Sequence, residues 1–245
     1  MPNPTHLPPR PSQTRPRRRF TSRPSLAAAE TIEDLREIAL RNLPRFSAEY
    51  LEGGAEEERT LALNRSAFDG YTFAPRVLRD ISKRDVSRAI FGRPSALPFA
   101  IAPTGFNGLL WPEGDTMLAR AAATAGIPYG QSTVSNTSLA DIGKIANIRQ
   151  WFQLYLYGGD AVWEKLIADA EAAGCEALLV TVDTPILGNR EWDRRNFIPG
   201  PKRDLSLLSK AGLLCHPTWL WNVLMKNGWP RFYNLEQFIP EGQPR

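Results

Sequence analysis

Along the chain, apolar residues first recur at helical spacing and later gather in short runs separated by amphipathic stretches. The segment Thr31-Ile-Glu-Asp-Leu-Arg-Glu-Ile places Ile32, Leu35 and Ile38 on one face behind a threonine and acids, a helix start signal. Pro44 ends that helix and opens a second one through Tyr50 and Leu51, which Gly53-Gly54 stops. A third helical run is predicted from Glu56 to about Phe68. From Leu97 the period changes. Residues 98–102, 127–132, 151–157 and 177–182 read as strands, and 114–125, 138–145 and 160–173 as the helices between them. This alternation predicts an α/β fold with a parallel sheet and right-handed crossovers. Polar or special residues follow the strands: Pro103-Thr104, Ser132-Thr133, Gln153 with Tyr155, and Asp183. In a βα barrel, the chemistry sits at those carboxyl ends.

The strand count limits the architecture. A closed (β/α)₈ barrel takes roughly 250 residues, whereas four βα units fit between residues 97 and 188 and residues 189–245 show no clear run of more. Half a barrel, or a fragment of one, is the expectation.

Charge changes the picture only once it is divided. The net charge of +4 comes from residues 1–29, which hold six arginines and no acid; the remainder is slightly acidic, so a nucleic-acid-binding face gains no support. Residues 1–24 contain seven prolines and almost no apolar side chains, too little to offset ordering entropy, and are predicted to be disordered. This tail reads equally as an organelle transit peptide, a binder of anionic lipid or a solvated tail without function. Cys175 and Cys215 lie far apart and outside any metal-ligand spacing, so a reducing compartment and no metal site are expected. Three segments result: the tail 1–29, a body 30–200, and an apolar, Trp-rich stretch 201–245.

Five motifs occur in order: Tyr50-Leu-Glu-Gly-Gly-Ala-Glu56, Ile101-Ala-Pro-Thr-Gly105, Trp111-Pro-Glu-Gly114, Phe152-Gln-Leu-Tyr155, and Thr181-Val-Asp-Thr-Pro185 followed by Gly188-Asn-Arg190. Together, over about residues 31–200, they resemble the FMN-dependent 2-hydroxy-acid dehydrogenases and oxidases. The resemblance implies a TIM-barrel family fold, with the N-terminal helices and the first four βα units present here. It also implies FMN at the carboxyl-end mouth and oxidation of a small, lactate- or mandelate-like L-2-hydroxy acid. By the same resemblance, the backbone of Ala102, Pro103, Thr104 and Gly105 borders the flavin. Ser132, Gln153 and Thr181 hydrogen-bond its pyrimidine edge and ribityl chain, with Thr133 an alternative to Ser132. Tyr50, Tyr155 and Arg190 bind the substrate, and Asp183 pairs with the catalytic histidine. Arginine's planar fork suits a carboxylate, and a carboxylate-supported histidine suits the base. Taken singly, Asp183 reads as a helix N-cap, Arg190 as a surface charge, Tyr50 as a packed aromatic, and Gln153 and Tyr155 as polar strand residues.

The chain departs from the family pattern at its histidines. His6 lies in the tail and His216 in the Trp-rich stretch, and neither follows a strand. The family's base, its second substrate arginine, its flavin-side lysine and its phosphate loop belong to later strands, so the chain is expected to stop within the excursion after strand four. An inactive half-barrel is therefore one alternative, and an oxygen-using oxidase another. Gly105, where oxidases commonly carry alanine, points to a quinone or cytochrome acceptor. Val134, at a position bulkier in glycolate oxidase, suggests room for a larger acid. Residues 205–229 are apolar but interrupted by Lys210, His216, Pro217 and Lys226, which excludes a transmembrane helix. With Trp219, Trp221 and Trp229 they suit a membrane interface or packing on the barrel itself. The resemblance further implies a cytoplasmic protein peripheral to the inner membrane, and a homo-oligomer, a tetramer in the family.

Overall fold

A computed structural model describes residues 25–183, 186, 188–197 and 205–239. The predicted disordered segment 1–24 lies outside them. Two compact units divide the chain after Arg41. In the first, helix α1 (Ile32–Asn42) starts in a reciprocal cap: Thr31 N–H donates to Asp34 Oδ2 at 2.9 Å, and Asp34 N–H donates back to Thr31 Oγ1 at 3.1 Å.

The second unit opens with α2 (Arg45–Glu52) and α3 (Arg59–Ser66). The third helix is shorter than its pattern predicts, because Glu56 and Glu58 adopt left-handed backbone angles and a 3₁₀ turn, Ala67–Gly70, takes over its end. A hairpin that the pattern did not reveal follows: β1 (Arg88–Ile90) pairs antiparallel with β2 (Arg93–Ser95) around Phe91 and Gly92, both at positive φ. Its exposed, charged strands and Pro94 carry no strand periodicity.

The sheet matches the prediction in type and order. Strands β3 (Ile101–Thr104), β4 (Tyr129–Ser132), β5 (Gln150–Leu154) and β6 (Ala177–Val180) pair in parallel in the order β3-β4-β5-β6. Helices α4 (Gly114–Ala125), α5 (Leu139–Gly143) and α6 (Asp160–Ala172) form the crossovers. The first sheet strand begins three residues later than expected. Pro98 has no N–H to donate, and the first ladder bond from this segment is Ile101 N–H to Pro128 O at 2.9 Å. Pro103 and Thr104 therefore lie within the strand rather than beyond it.

Burial follows position in the sheet. Every residue of β4 and β5 is buried, whereas β3 and β6, each with one partner strand among the described residues, alternate between half-buried and exposed positions. Two apolar clusters pack between sheet and helices, one around Ile127, Tyr129 and Ile142 and one around Phe152, Leu154 and Leu166. At the amino ends of the strands, the Arg149 guanidinium donates to the carbonyls of Ile90 and Pro94 and pairs with Glu176 at 2.9 Å, tying the hairpin to the sheet.

Beyond β6 come α7 (Glu191–Arg195), α8 (Leu207–Leu213) and α9 (Pro217–Trp219), the last continuing into a π-helical turn, Leu220–Met225. The Trp-rich stretch packs on the body with one face and leaves the opposite face exposed. Trp219 and Val223, four residues apart, are buried against Leu43, Phe46 and Leu109. Trp221 and Met225, also four apart, are 63% and 67% exposed, and Leu207, Leu208 and Leu214 are exposed as well. Among the described residues, no helix is long and apolar enough to cross a membrane.

Candidate functional site

The carboxyl ends of the central strands carry a connected row of polar side chains. The Ser132 hydroxyl donates to Gln153 Oε1 at 3.0 Å, and Gln153 Nε2 donates to Thr181 Oγ1 at 2.7 Å. Parallel register produces the row: Ser132 sits beside Gln153, and Thr181 extends the next ladder by donating its N–H to Leu154 O. Ser132 and Thr133 differ in their partners. Thr133 is fully buried; its hydroxyl donates to Gln153 O at 2.6 Å and accepts from Tyr155 N–H at 3.1 Å, so it staples two strands together. Ser132 keeps its oxygen in the row, where it also accepts from Val134 N–H at 3.2 Å.

Gly105 closes the first strand's end in tight quarters. A methyl group added there would come within 2.4 Å of Val134 Cγ2. Gly105→Ala is expected to cost about 1–3 kcal/mol through overpacking, and adding Val134→Ala is expected to recover most of it. Chemical unfolding of the single and double variants measures both, and a double variant no more stable than Gly105→Ala would remove the contact as the cause.

Beside Gly105 stands the second cluster. The Tyr50 hydroxyl donates to Gly105 O at 3.3 Å. Arg190 donates to the carbonyl of Tyr50, places its guanidinium carbon 5.1 Å from the Tyr50 ring centre, and pairs through Nε with Asp193 at 2.6 Å. Burial raises the Tyr50 phenol above its usual pKa; the Arg190 cation opposes the shift, and Asp193 and Tyr155 add to it. The phenol therefore stays protonated at neutral pH, ready to donate. Tyr155, just past β5, stacks on Tyr157 with ring centres 4.8 Å apart.

A close approach of two loops brings Arg190 to Tyr50. Glu56 N–H donates to Asn189 O at 3.0 Å, and a Cβ on Gly188 would sit 2.8 Å from that of Ala55, so only glycine lets residues 188–190 dock on the turn after α2. Asn196 donates to Glu49 and so anchors α7 to α2. Asp183 is exposed, and Arg190 rather than Asp183 occupies the N-cap position of the following helix. The structure thus joins Ser132, Gln153 and Thr181 in one group, and Tyr50, Arg190 and Gly105 in another. Asp183 has no side-chain contact to either group among the described interactions.

Sequence reasoning missed two residues. Asp193 is legible only through its i, i+3 spacing from Arg190. Asp115 reads as an ordinary acid in a helix's first turn, yet it is fully buried and accepts from Asn107 Nδ2, the Tyr129 and Ser135 hydroxyls and Asn136 N–H at 2.7–3.2 Å. Asn107 in turn donates to Thr104 O at 3.1 Å, so the network braces the loop around Gly105.

Known proteins are similar to this chain. The FMN-dependent dehydrogenase profile matches residues 39–240. An L-lactate dehydrogenase of Caulobacter sp. (strain K31) is 40% identical over 190 residues, 78% of this chain and 50% of the relative. The (S)-mandelate dehydrogenase of Pseudomonas putida is 36% identical over 204 residues, 83% of this chain and 51% of that enzyme. A crystal structure described as that of the monotopic membrane protein (S)-mandelate dehydrogenase superposes with a TM-score of 0.80 at 34% identity, covering 87% of this chain and 56% of that one. The chain spans about half the length of the curated relatives it matches. Over that span the motifs, the parallel sheet and the profile agree, and the chain belongs to the FMN-dependent dehydrogenase family.

Proposed function

We propose that this chain contributes the flavin edge and part of the acid-binding site to the FMN-dependent oxidation of an L-2-hydroxy acid, lactate- or mandelate-like, within a TIM-barrel enzyme. The observation that carries this reading is the Ser132–Gln153–Thr181 row lying in the same carboxyl-end region as the Tyr50–Arg190 pair. The residues fit one end of FMN. Alternating donors and acceptors, with Ser132 and Gln153 buried, match a pyrimidine edge and a ribityl chain, and the Ala102–Gly105 backbone supplies a wall. None of these residues is cationic, so they do not account for the phosphate.

When bound, FMN takes up the reducing equivalents of the acid. The chain's own residues bind and orient. Arg190 offers its fork to the carboxylate. The protonated Tyr50 phenol and the Tyr155 hydroxyl direct the substrate oxygens, and Asp183 would support an imidazolium that His216, which precedes α9, does not supply. The closed space at Gly105 supports a dehydrogenase with a quinone or cytochrome acceptor over an oxidase carrying alanine there. The exposed Trp221, Met225 and Leu214, with Lys210 and Lys226 nearby in sequence, support a place peripheral to a membrane.

The test is the visible absorption spectrum of the purified chain, with and without L-lactate or mandelate under anaerobic conditions. Bound flavin that the acid does not bleach is the expected result for this chain alone, whose described residues bring no histidine to the site, and bleaching would mean that another chain supplies the base. A chain that takes up no flavin would sink the reading and leave a half-barrel without catalysis.

A further inference from the structure

Tyr157, three residues past β5, has none of the roles proposed above and is 48% exposed. It follows Tyr155 by two residues, the strand repeat that returns a side chain to the same side. Their rings stack with centres 4.8 Å and planes 17° apart, a favourable offset aromatic geometry. The chain then turns onto α6: Gly158 has a φ of +71°, and a Cβ there would meet Val162 Cγ2 at 3.1 Å.

Tyr155 depends on that contact. The ladder of β5 ends at Leu154, and the Tyr155 backbone is pinned just beyond it by its N–H, which donates to Thr133 Oγ1 at 3.1 Å. Its side chain has no such anchor. Among the described residues the Tyr155 hydroxyl makes no hydrogen bond, and its ring meets no ring but that of Tyr157. Burial raises the Tyr50 and Tyr157 phenols above their usual pKa, and Tyr155 adds to both shifts, so it lies within electrostatic reach of each. Tyr155 thus links the acid-binding cluster to Tyr157, and a stacked neighbour decides which way its hydroxyl points.

We propose that Tyr157 is a positioning residue of the acid site: its ring, stacked on Tyr155, holds the Tyr155 hydroxyl beside Tyr50 for the oxygens of a 2-hydroxy acid. The inference rests on the substrate role proposed for Tyr155 and deepens it. The stack, and not the Tyr157 hydroxyl, carries the effect.

The experiment titrates (S)-mandelate into the full chain supplied with FMN and measures the affinity calorimetrically. Tyr157→Phe keeps the stack and should retain the affinity. Tyr157→Ala should weaken it about two- to tenfold, the worth of one aromatic pair. Added to Tyr155→Ala, the same change should cost nothing more, because a residue that acts through another has no effect once that other is gone. Far-UV circular dichroism confirms that each variant is folded, and the near-UV tyrosine signal should fall alike in Tyr155→Ala, Tyr157→Ala and the double variant. An unchanged affinity in Tyr157→Ala, an equal loss in both backgrounds, a loss in Tyr157→Phe as large as in Tyr157→Ala, or no acid binding at all would overturn the proposal. FMN uptake is followed on the same samples through its own fluorescence. Flavin uptake with an acid affinity indifferent to Tyr157 defeats this inference alone, and a Tyr157-dependent affinity without flavin uptake defeats the proposed function alone.

Discussion

Replacing Asp115 with alanine should destabilise the chain by about 3–5 kcal/mol, the range for orphaning partners of a buried charge, and lower Tm by about ten degrees. The carboxylate is fully buried and collects hydrogen bonds from two side-chain hydroxyls, one amide and one backbone N–H. Alanine leaves the Tyr129 hydroxyl and Asn136 N–H without their acceptor, while Asn107 and Ser135 keep only their second bonds, to Thr104 and Thr137 O, and the loss from such orphaned groups exceeds the net gain from the bonds themselves. Tyr129 is held there as a neutral donor: burial, then the Asp115 charge, pushes its phenol far above the ordinary range, so it cannot adapt by ionising. Ser135→Ala keeps the carboxylate, removing one of its donors and an acceptor for Gln131 Nε2 and Thr137 N–H, and should cost only about 1–2 kcal/mol. Denaturant unfolding of the two variants side by side checks the ordering; equal losses would mean that Asp115 acts as packing and not as a charge acceptor.

Arg190→Lys should weaken binding of a 2-hydroxy acid by about ten- to a hundredfold, with a larger loss for Arg190→Met. The guanidinium faces the Tyr50 carbonyl, the Tyr50 ring and Asp193 together. An ammonium on a flexible stem cannot hold those partners and still offer a paired fork to a carboxylate. An independent readout comes from Tyr50. Burial raises its phenol and the Arg190 cation pulls it back, so Arg190→Met should move the Tyr50 ionisation to still higher pH, visible as a difference in ultraviolet titration against Tyr50→Phe. Unchanged acid affinity together with an unchanged Tyr50 titration would take Arg190 out of the site.

The sheet was legible because its strands are buried runs, and burial writes itself into composition: residues 127–132 and 177–182 were read within two residues of β4 and β6. The hairpin was not, since Arg88–Ile90 and Arg93–Ser95 are held by the Arg149 guanidinium, a partner far along the chain. Gln153 and Thr181 were named through family resemblance; their contact depends on parallel register, which no local pattern encodes. Asp193 and Asp115 escaped notice for the same reason, because an acid's importance lies in the partners that folding brings to it. In the Trp-rich stretch the i, i+4 pairs Trp219–Val223 and Trp221–Met225 were present in the sequence, but composition alone could not say which pair turned inward.

The order β3-β4-β5-β6 has a kinetic consequence. Each sheet strand hydrogen-bonds the one that follows it in the chain, so no pairing in this sheet waits for a distant segment. Each pairing closes across a single βα crossover, which costs less loop entropy than pairing with a distant segment. During synthesis, each βα unit leaving the ribosome can dock onto the edge laid down by its predecessor. The growing edge, now β6, is then the surface on which a nascent chain is most exposed to chaperones and to misassembly.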